Sequence, residues 1–577
     1  MAAPASAHPQ ARAAGAAQAL FGNGRWMMAL LAAYVGAICL VPLARLFWLG
    51  LAPEGTPDLS LAIDLLGQPR VRTALFNTIE ASLLATLLSV LLGAGMAFLV
   101  ALTDIRGRAV LVFMLILPML IPAQITALAW LEFLGPSSPV LGPLGLAPSM
   151  GTRNPLYSRE GIVLLMGVEH STIVFLAVRA ALRSVPEDLV EAARAGGVGP
   201  LGATARIVLP LTWPAIGAGA ALAFVSAVGN FGIPAFLGIP GRYPMMTTLI
   251  FQRLSGFGPG VLNEVAALAL ILAAVAGLGL LVQTLAMRLH SVELAGGRPL
   301  GAFGLGRARV PVEVAVWAVV LIVSVLPLVA LVGGSLSRAV GVPLSLETAT
   351  LDHYARVLAS PATTRAFVNS SALAAAAAVI CAAVSVVMAY FVARRRTPLA
   401  RAFNLLTDAP YALPGTVLAI AVILVYLRPL PVTGIALYGT LWIILLAYLA
   451  RFLALALRPT VTAMAGIEAA LEEAAQIAGA RPMRRLWAVL LPTVAPAAMA
   501  GGLLVFMGAF NELTVSILLW STGNETLGVL VFNLYDQGAS TRAAAVSVLT
   551  VLATLGIAGV LTWLARRLPP GVLPWQA

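Results

Sequence analysis

Residues 184–214 read SVPEDLVEAARAGGVGPLGATARIVLPLTWP, and residues 467–496 read IEAALEEAAQIAGARPMRRLWAVLLPTVAP. Both stretches carry a Glu-Ala-Ala triplet, with a glycine six residues and a proline nineteen residues after the glutamate. The triplet and its glycine are Glu191, Ala192, Ala193 and Gly197 in the first copy, and Glu473, Ala474, Ala475 and Gly479 in the second. A helix from Pro186 to Ala195 would be about 15 Å long, too short to cross a bilayer. The repeated spacing therefore predicts two equivalent short helices at a membrane surface.

The rest of the chain is strongly apolar. Its 577 residues are 60% hydrophobic and only 10% charged, with a mean hydropathy of +0.97, whereas a soluble domain carries about 25% charged residues. We therefore predict an all-α polytopic membrane protein with about 12 transmembrane helices. The predicted spans are 26–49, 74–102, 109–131, 161–178, 211–237, 265–287, 310–331, 371–392, 403–426, 435–457, 494–519 and 543–564.

The two halves of the chain are tandem copies. Pro118 and Pro122 recur 292 residues later as Pro410 and Pro414, and the Glu-Ala-Ala copies lie 282 residues apart. Six spans separate equivalent points, so the halves are parallel and a pseudo-twofold axis along the membrane normal is expected, with a path between them. The predicted divisions are a cytoplasmic tail 1–25, a first half 26–287, a cytoplasmic linker 288–309, a second half 310–567 and a cytoplasmic tail 568–577.

All 35 basic residues are arginine, and the chain has no lysine. A nucleotide-binding Walker A loop and a Schiff-base nucleophile are therefore excluded. With the N-terminus inside, the inner segments hold 23 of the 35 arginines, which predicts that both termini are cytoplasmic. The net charge of +12 is explained by these loops, so no nucleic-acid partner is expected.

Cysteine and histidine offer little chemistry. Cys39 and Cys381 lie in apolar runs and are expected to be packing residues. His8, His290 and His353 fall in tails or loops, where solvated side chains are expected. An intramembrane enzyme is disfavoured, because no metal-protease or serine-hydrolase motif is present.

The short surface helices have a pattern suited to docking. Ser184 and Glu187 have the spacing of a capping box. The paired alanines allow another backbone to approach closely, and Glu191 and Glu473 offer a carboxylate to a basic group on a partner. Because this chain has no nucleotide-binding loop, the duplicated helix predicts two separate ATPase subunits. The alternative is an ordinary amphipathic loop whose alanines reflect helix propensity.

These motifs resemble the EAA loop of the inner-membrane permeases of binding-protein-dependent ABC importers, fused here so that one chain supplies both halves. The resemblance implies the type I importer permease fold in the bacterial inner membrane, coupling helices at Glu187 to Gly197 and Glu468 to Gly479, two ATP-binding subunits and a periplasmic substrate-binding protein. No cofactor is expected on this chain; ATP and Mg²⁺ belong to the ATPase. Residues 231–254 and 511–538 resemble the fused ferric-iron permeases, so ferric iron is the expected cargo, with thiamine, aminoethylphosphonate or polyamine as alternatives.

Polar residues within the spans are candidates for function. Asn230, Asn511 and Glu512 are expected either to line the translocation path or its gate, or to hydrogen-bond between helices without meeting substrate. Glu169 and His170 lie near the position equivalent to Arg451, and an ion pair between the halves would form a state-dependent latch.

Two interpretations stay open. The four repeated prolines are expected to kink or break the third and ninth spans, either as hinges or as packing devices. A 12-span secondary transporter, driven by an ion gradient, is the alternative from a different class of protein. The duplicated surface helix argues against it, because a self-sufficient carrier does not need such a helix.

Overall fold

The computed structural model describes residues 25–52, 55–256, 258, 260–289, 301–431 and 433–565. Residues 1–24 of the first predicted tail, the second predicted tail, residues 290–300 of the linker, His8 and His290 lie outside these residues. The described chain is helical, with two isolated β-bridges and no strands. The predicted all-α class is confirmed.

The first half contains ten helices, which we number α1 to α10. They are Trp26–Leu51, Ser60–Gly67, Pro69–Leu102, Arg108–Leu120, Ala123–Phe133, Arg159–Arg183, Glu187–Ala195, Pro200–Val228, Met246–Leu254 and Val261–Leu289.

The second half repeats this order with helices α11 to α20. They are Gly306–Leu336, Asp352–Ala359, Pro361–Arg395, Pro398–Ala412, Gly415–Tyr426, Leu441–Gly466, Ala469–Ile477, Met483–Phe510, Leu527–Asp536 and Ser540–Ala565. Each α-helix of the first half has one counterpart in the second, so the tandem parallel repeat predicted from the sequence is present in the structure. The helices α6 and α16 begin 282 residues apart, the same offset as the Glu-Ala-Ala copies.

The predicted third and ninth spans are not single helices. Helices α4 and α5 meet at 106°, and α14 and α15 meet at 112°, so the described chain has ten long apolar helices and two bent pairs. Ile121 and Leu413, which precede Pro122 and Pro414, adopt extended conformations. A residue before proline avoids the helical region, so the spans break at Pro122 and Pro414, whereas Pro118 and Pro410 lie inside α4 and α14.

The predicted fifth and eleventh spans are too long. Helix α8 ends at Val228 and α18 ends at Phe510, before the polar residues Asn230 and Asn511. Short helical turns follow at Pro234–Gly238 and Ser516–Leu519. The apolar composition continues through each break, and a hydropathy window therefore cannot detect where the helix stops.

The two halves are interlocked by their first spans. Helix α1 packs against α15 of the second half, and α11 packs against α5 of the first. The hydroxyl of Tyr426 donates to the carbonyl of Ala37 at 2.9 Å, and that of Ser324 donates to the carbonyl of Met114 at 3.1 Å. Each half therefore needs the other to cover its bent pair of helices.

One prediction about a histidine was wrong. His353 is 7% exposed, and its Nε2 lies 3.0 Å from the carbonyl oxygen of Ser337. Helix α12 folds back against the end of α11, which buries a side chain that the loop assignment left in solvent. Cys39 and Cys381 are buried free thiols, in agreement with a packing role.

Small residues allow α3 and α6 to pack closely. A Cβ atom on Gly93 would collide with the carbonyl oxygen of Ser171 and would lie 2.9 Å from the backbone nitrogen of Phe175. Gly95, two residues away on the same helix, has open space around its Cα. Backbone contact of this kind is the usual basis of helix association in membranes.

We expect Gly93→Ala to destabilise the protein by about 1–3 kcal/mol, because overpacked backbone cannot move aside. Gly95→Ala is the matched control, and its stability should be unchanged or slightly higher. Thermal unfolding of the purified protein in detergent, followed by size-exclusion fluorescence, measures both. Equal melting temperatures for the two variants would contradict the close contact of α3 with α6.

Candidate functional site

Two short helices, α7 and α17, form the first part of the candidate site. Each ends at a glycine with positive φ, Gly197 at +82° and Gly479 at +78°. The N–H groups of these glycines donate to the carbonyls of Arg194 and Gln476, both at 2.9 Å. Glycine adopts this left-handed conformation without a steric cost, which explains why the glycine recurs at the same distance after both Glu-Ala-Ala triplets.

The Glu-Ala-Ala residues point outward in both copies. Glu191 and Ala192 are exposed and Ala193 is half-buried, and their counterparts Glu473, Ala474 and Ala475 show the same pattern. Exposed apolar side chains lie beside them: Leu189, Leu471, Leu201 and Ile477, the last two at 87% and 88%. The two helices thus present similar surfaces that combine a carboxylate, small residues and apolar side chains.

Both surfaces lie on the same side of the molecule. Helix α7 follows the end of α6, and α17 follows the end of the equivalent span α16. Because the halves are parallel copies, these ends face the same way. Val190, the buried residue of α7, belongs to an apolar cluster with Ala203 and Val208, so the short helix is packed against the base of the next span.

The predicted capping box is wrong. Ser184 ends α6 and its hydroxyl donates to the carbonyl of Ala181, while Pro186 occupies the N-cap of α7. The Glu187 carboxylate accepts a hydrogen bond from the backbone N–H of Gly301 at 3.2 Å. Two helices end and begin within three residues here, which leaves Ser184 on the wrong helix to cap α7.

The end of the linker is attached to the loop after α3. Phe303 forms a parallel β-bridge with Thr103, and its N–H donates to the carbonyl of Leu102 at 2.7 Å. The Asp104 carboxylate accepts from the N–H of Leu305 at 3.0 Å and pairs with Arg309 at 2.6 Å. The Leu305 N–H, assisted by the Arg309 charge, holds the pKa of Asp104 below its ordinary value. The linker therefore fixes the start of α7.

The second short helix is held by side chains instead. Arg394 donates to the carbonyl of Ile467 at 2.6 Å and lies 3.9 Å from Glu472. Arg485 lies 3.9 Å from the same carboxylate and donates to the Gln476 side chain at 2.7 Å. Sequence reasoning missed these anchors; the one available signal was the concentration of arginine at this end of the spans.

The second part of the candidate site is a cavity of about 410 Å³ between the two halves. All three predicted path residues line it, together with the predicted latch residues, and the set is Asn230, Asn511, Glu512, Glu169, His170 and Arg451. The bent pairs also contribute, through the segment around Pro122 and through Tyr411. The structure therefore brings together polar residues that are separated by up to 343 positions in the sequence.

Most of the polar atoms at the cavity wall already have partners. The Asn230 amide donates to the Glu169 carboxylate at 2.8 Å, and the Asn511 amide donates to the carbonyl of Leu120 at 3.3 Å. Both oxygens of Glu512 accept the N–H of Val515, at 2.8 and 3.0 Å. These residues both face the cavity and stabilise the helix breaks, so the two roles predicted for them do not exclude each other.

The two residues of the predicted latch do not form an ion pair in this conformation. The structure records no ion pair between Glu169 and Arg451, although both residues are described and line one cavity. Nη1 of Arg451 is buried and has no hydrogen-bond partner among the described residues. The offset of 282 that relates α6 to α16 also relates Glu169 to Arg451. The two residues therefore occupy equivalent positions on α6 and α16, and the latch stays a prediction.

The fold and the paired surface helices define a membrane transport permease built from two fused halves. Residues 71–291 and 384–573 match the family described as the binding-protein-dependent transport system inner membrane component. The chain belongs to this family, and with its ten or more apolar helices it is a multi-pass inner-membrane protein.

Relatives cover most of the chain at modest identity. A probable ABC transporter permease of Sinorhizobium fredii is 26% identical and covers 89% of this chain and 90% of its own length. A ferric transport system permease of Actinobacillus pleuropneumoniae is 22% identical over 88% of this chain and 73% of its own length. A probable molybdenum ABC transporter permease of Haloferax volcanii is 30% identical over 40% of this chain and 80% of its own length.

We expect Asp104→Ala to release the linker from the loop after α3, because the substitution removes both carboxylate oxygens, which accept from the Leu305 N–H and from Arg309. Trypsin cleaves this chain only after arginine, so cleavage after the exposed Arg307 should become several-fold faster in limited proteolysis. Asp188→Ala, on the exposed face of α7, is the matched control and should be cleaved at the wild-type rate. Cleavage of Asp104→Ala at the wild-type rate would show that the contacts of Asp104 with Leu305 and Arg309 do not hold the linker.

Proposed function

We propose that this chain is the permease subunit of an ATP-driven importer and supplies both halves of the membrane pore, in which α7 and α17 are coupling helices that each dock on one of two separate ATPase subunits. The observation that carries the proposal is the pair of equivalent exposed Glu-Ala-Ala surfaces on one side of the molecule. A self-sufficient carrier has no use for two such surfaces. A periplasmic binding protein delivers the solute to the opposite side, and the chain itself binds no cofactor because ATP and Mg²⁺ belong to the ATPase subunits.

Docking at these helices explains how an ATPase can move the spans. Gly197 and Gly479 end the coupling helices close to the base of α8 and α18. The linker contact of Glu187 and the Arg394 contact at Ile467 tie the helices to the bases of α3 and α13. When the two ATPase subunits close, both coupling helices move together, and packed spans transmit the movement to the cavity. In this arrangement both chain termini are cytoplasmic.

The cavity between the halves is the translocation path in this proposal. Asn230, Asn511 and Glu512 line it at the points where α8 and α18 stop, so movement of these spans changes the shape of the cavity directly. An ion pair between Glu169 and Arg451 would close it from both sides. In this proposal the gate of the path consists of Asn230, Asn511, Glu512, Glu169 and Arg451.

The proposed cargo is ferric iron. Support comes from the ferric transport relative, which aligns over most of this chain, and from the resemblance of residues 231–254 and 511–538 to the fused ferric-iron permeases. Thiamine, aminoethylphosphonate and polyamine are the alternative solutes. A secondary transporter of two six-span halves is the alternative of a different class.

The double substitution Glu191→Arg with Glu473→Arg should abolish binding of the ATPase subunits, because each docking surface gains a positive charge where a carboxylate stood. Copurification of the cognate ATPase from detergent extracts measures this binding, and uptake should fall to background. The matched control is Asp64→Arg with Glu347→Arg, two exposed carboxylates at the other end of the spans. Its ATPase binding should equal that of the wild type.

The outcome against the proposal is specific. Normal copurification of the ATPase with the Glu191→Arg and Glu473→Arg protein would eliminate the docking role of α7 and α17. Loss of copurification in the control protein as well would assign the effect to general charge.

Uptake into proteoliposomes tests the cargo and the class together. With this chain, the ATPase subunits and the binding protein, we expect ATP-dependent accumulation of ferric iron in preference to thiamine, aminoethylphosphonate and polyamine. Preference for another of these solutes would retain the importer and overturn the iron assignment. Accumulation driven by an ion gradient, with this chain alone, would establish the secondary transporter instead.

A further inference from the structure

The cavity between the halves carries opposite charges at equivalent positions. Glu169 on α6 and Arg451 on α16 are related by the 282-residue offset, and both side chains are partly exposed to the cavity. A pseudo-twofold axis that passes through the cavity places equivalent residues on opposite walls. The solute therefore meets a carboxylate of the first half on one side and a guanidinium of the second half on the other.

One nitrogen of the Arg451 guanidinium lacks a hydrogen-bond partner among the described residues, although the group lies over the Phe452 ring and its charge acts on Glu512. Nη1 of Arg451 is buried and makes no hydrogen bond within the described chain. It lies against Gly415, where a Cβ atom would be only 2.8 Å from Nη1. The equivalent of Gly415 in the first half is Ala123. The second half thus has room for the guanidinium at its helix break, and a buried donor without an acceptor is costly.

The two carboxylates of the cavity, Glu512 and Glu169, differ in how many hydrogen bonds they already accept. Both oxygens of Glu512 accept backbone N–H groups, which leaves this carboxylate committed to the turn after α18. Glu169 accepts one hydrogen bond, from Asn230 through Oε2. Within the part of the chain that the structure describes, no group of three or more His, Cys, Asp or Glu side chains could hold a metal ion. Ferric iron favours several oxygen ligands, so in this cavity most of them would have to come from a chelator carried with the ion.

We infer that the cavity recognises a solute that joins an anionic group, bound by Arg451, to a positive centre, which faces Glu169. This inference deepens the importer proposal and rests on it. Two kinds of solute have this chemistry: a ferric ion complexed by carboxylates, and a small aminophosphonate. A simple tetrahedral oxyanion has the first feature alone, and a polyamine has the second alone.

The chemistry of the two walls supports this selection. Guanidinium donates two parallel hydrogen bonds to carboxylate or phosphonate oxygens, which fixes the orientation of the anionic group. With that group at Arg451, a purely anionic solute would bring uncompensated negative charge toward Glu169. Away from bulk water such repulsion is less screened than in solution. An ammonium group or a chelated metal ion converts the same contact into an attraction.

Substitution of the two walls separates their roles. We expect Arg451→Gln to raise the half-saturating concentration of the ferric citrate complex or of 2-aminoethylphosphonate by roughly tenfold or more, since a charge-assisted hydrogen bond is lost. Arg451→Lys should restore part of the affinity. Glu169→Gln should weaken binding of the same solute and at the same time permit uptake of sulfate, which we expect the wild-type protein to exclude.

The experiment uses the assembled transporter in proteoliposomes, with ATP-dependent uptake of ferric citrate, 2-aminoethylphosphonate, sulfate and spermidine. Equilibrium dialysis of the same four probes against the purified permease measures binding without transport. Arg458→Gln is the matched control, because this exposed arginine lies two turns further along α16 and pairs with Asp408 outside the cavity. It should behave as the wild type. Gly415→Ala moves the Arg451 guanidinium without removing its charge and should also weaken binding of the solute.

The possible results are distinct. Saturable uptake of ferric citrate or of the aminophosphonate, weakened by Arg451→Gln, supports the inference and identifies the source. Three results overturn it and leave the importer proposal unaffected. The wild type takes up sulfate equally well, Arg451→Gln keeps the wild-type affinity, or a transporter with bound ATPase binds neither ferric citrate nor the aminophosphonate. Failure of the ATPase to bind the wild-type chain, or gradient-driven uptake, overturns the importer proposal itself.

Discussion

The bilayer requires every backbone N–H and carbonyl within it to find a partner inside the protein. This protein interrupts four of its spans at membrane depth, at the two proline breaks and at the ends of α8 and α18. The groups freed there are satisfied locally and by the other half: the Asn230 side chain accepts from Ile233, Glu512 accepts from Val515, and Asn511 donates to Leu120. Because the breaks collect around one cavity, the polar residues that repair them also line that cavity.

Duplication gives the fold its symmetry, and the exceptions to it carry the more specific chemistry. The two short helices α7 and α17 present nearly the same outer surface, yet the first is fixed by the linker through Glu187 and the second by Arg394 and Arg485. In the same way, equivalent positions on α6 and α16 hold a carboxylate and a guanidinium. A pore whose two walls differ in charge can orient a solute, which a strictly symmetric pore cannot do.

Close helix contact explains how a change at the surface reaches this cavity. Glycine and alanine bring α3 against α6, and Gly501 brings α18 against Ala456 on α16. Such contacts leave little freedom for one span to move alone. A force applied at α7 or α17 is therefore transmitted by whole spans, and the ends of those spans at Asn230 and Asn511 form part of the cavity wall.

The sequence by itself determined the class of the protein. Composition gave a multi-pass membrane chain, and the two Glu-Ala-Ala copies with matching proline breaks gave the parallel repeat, because these features depend on local backbone preferences and on fixed spacing. Only the tertiary structure decided the rest. Where α8 and α18 end, which residues anchor α7 and α17, and the position of Glu169 and Arg451 on one cavity all depend on contacts between distant segments. Hydropathy and periodicity describe one segment at a time, so they contain no record of such contacts.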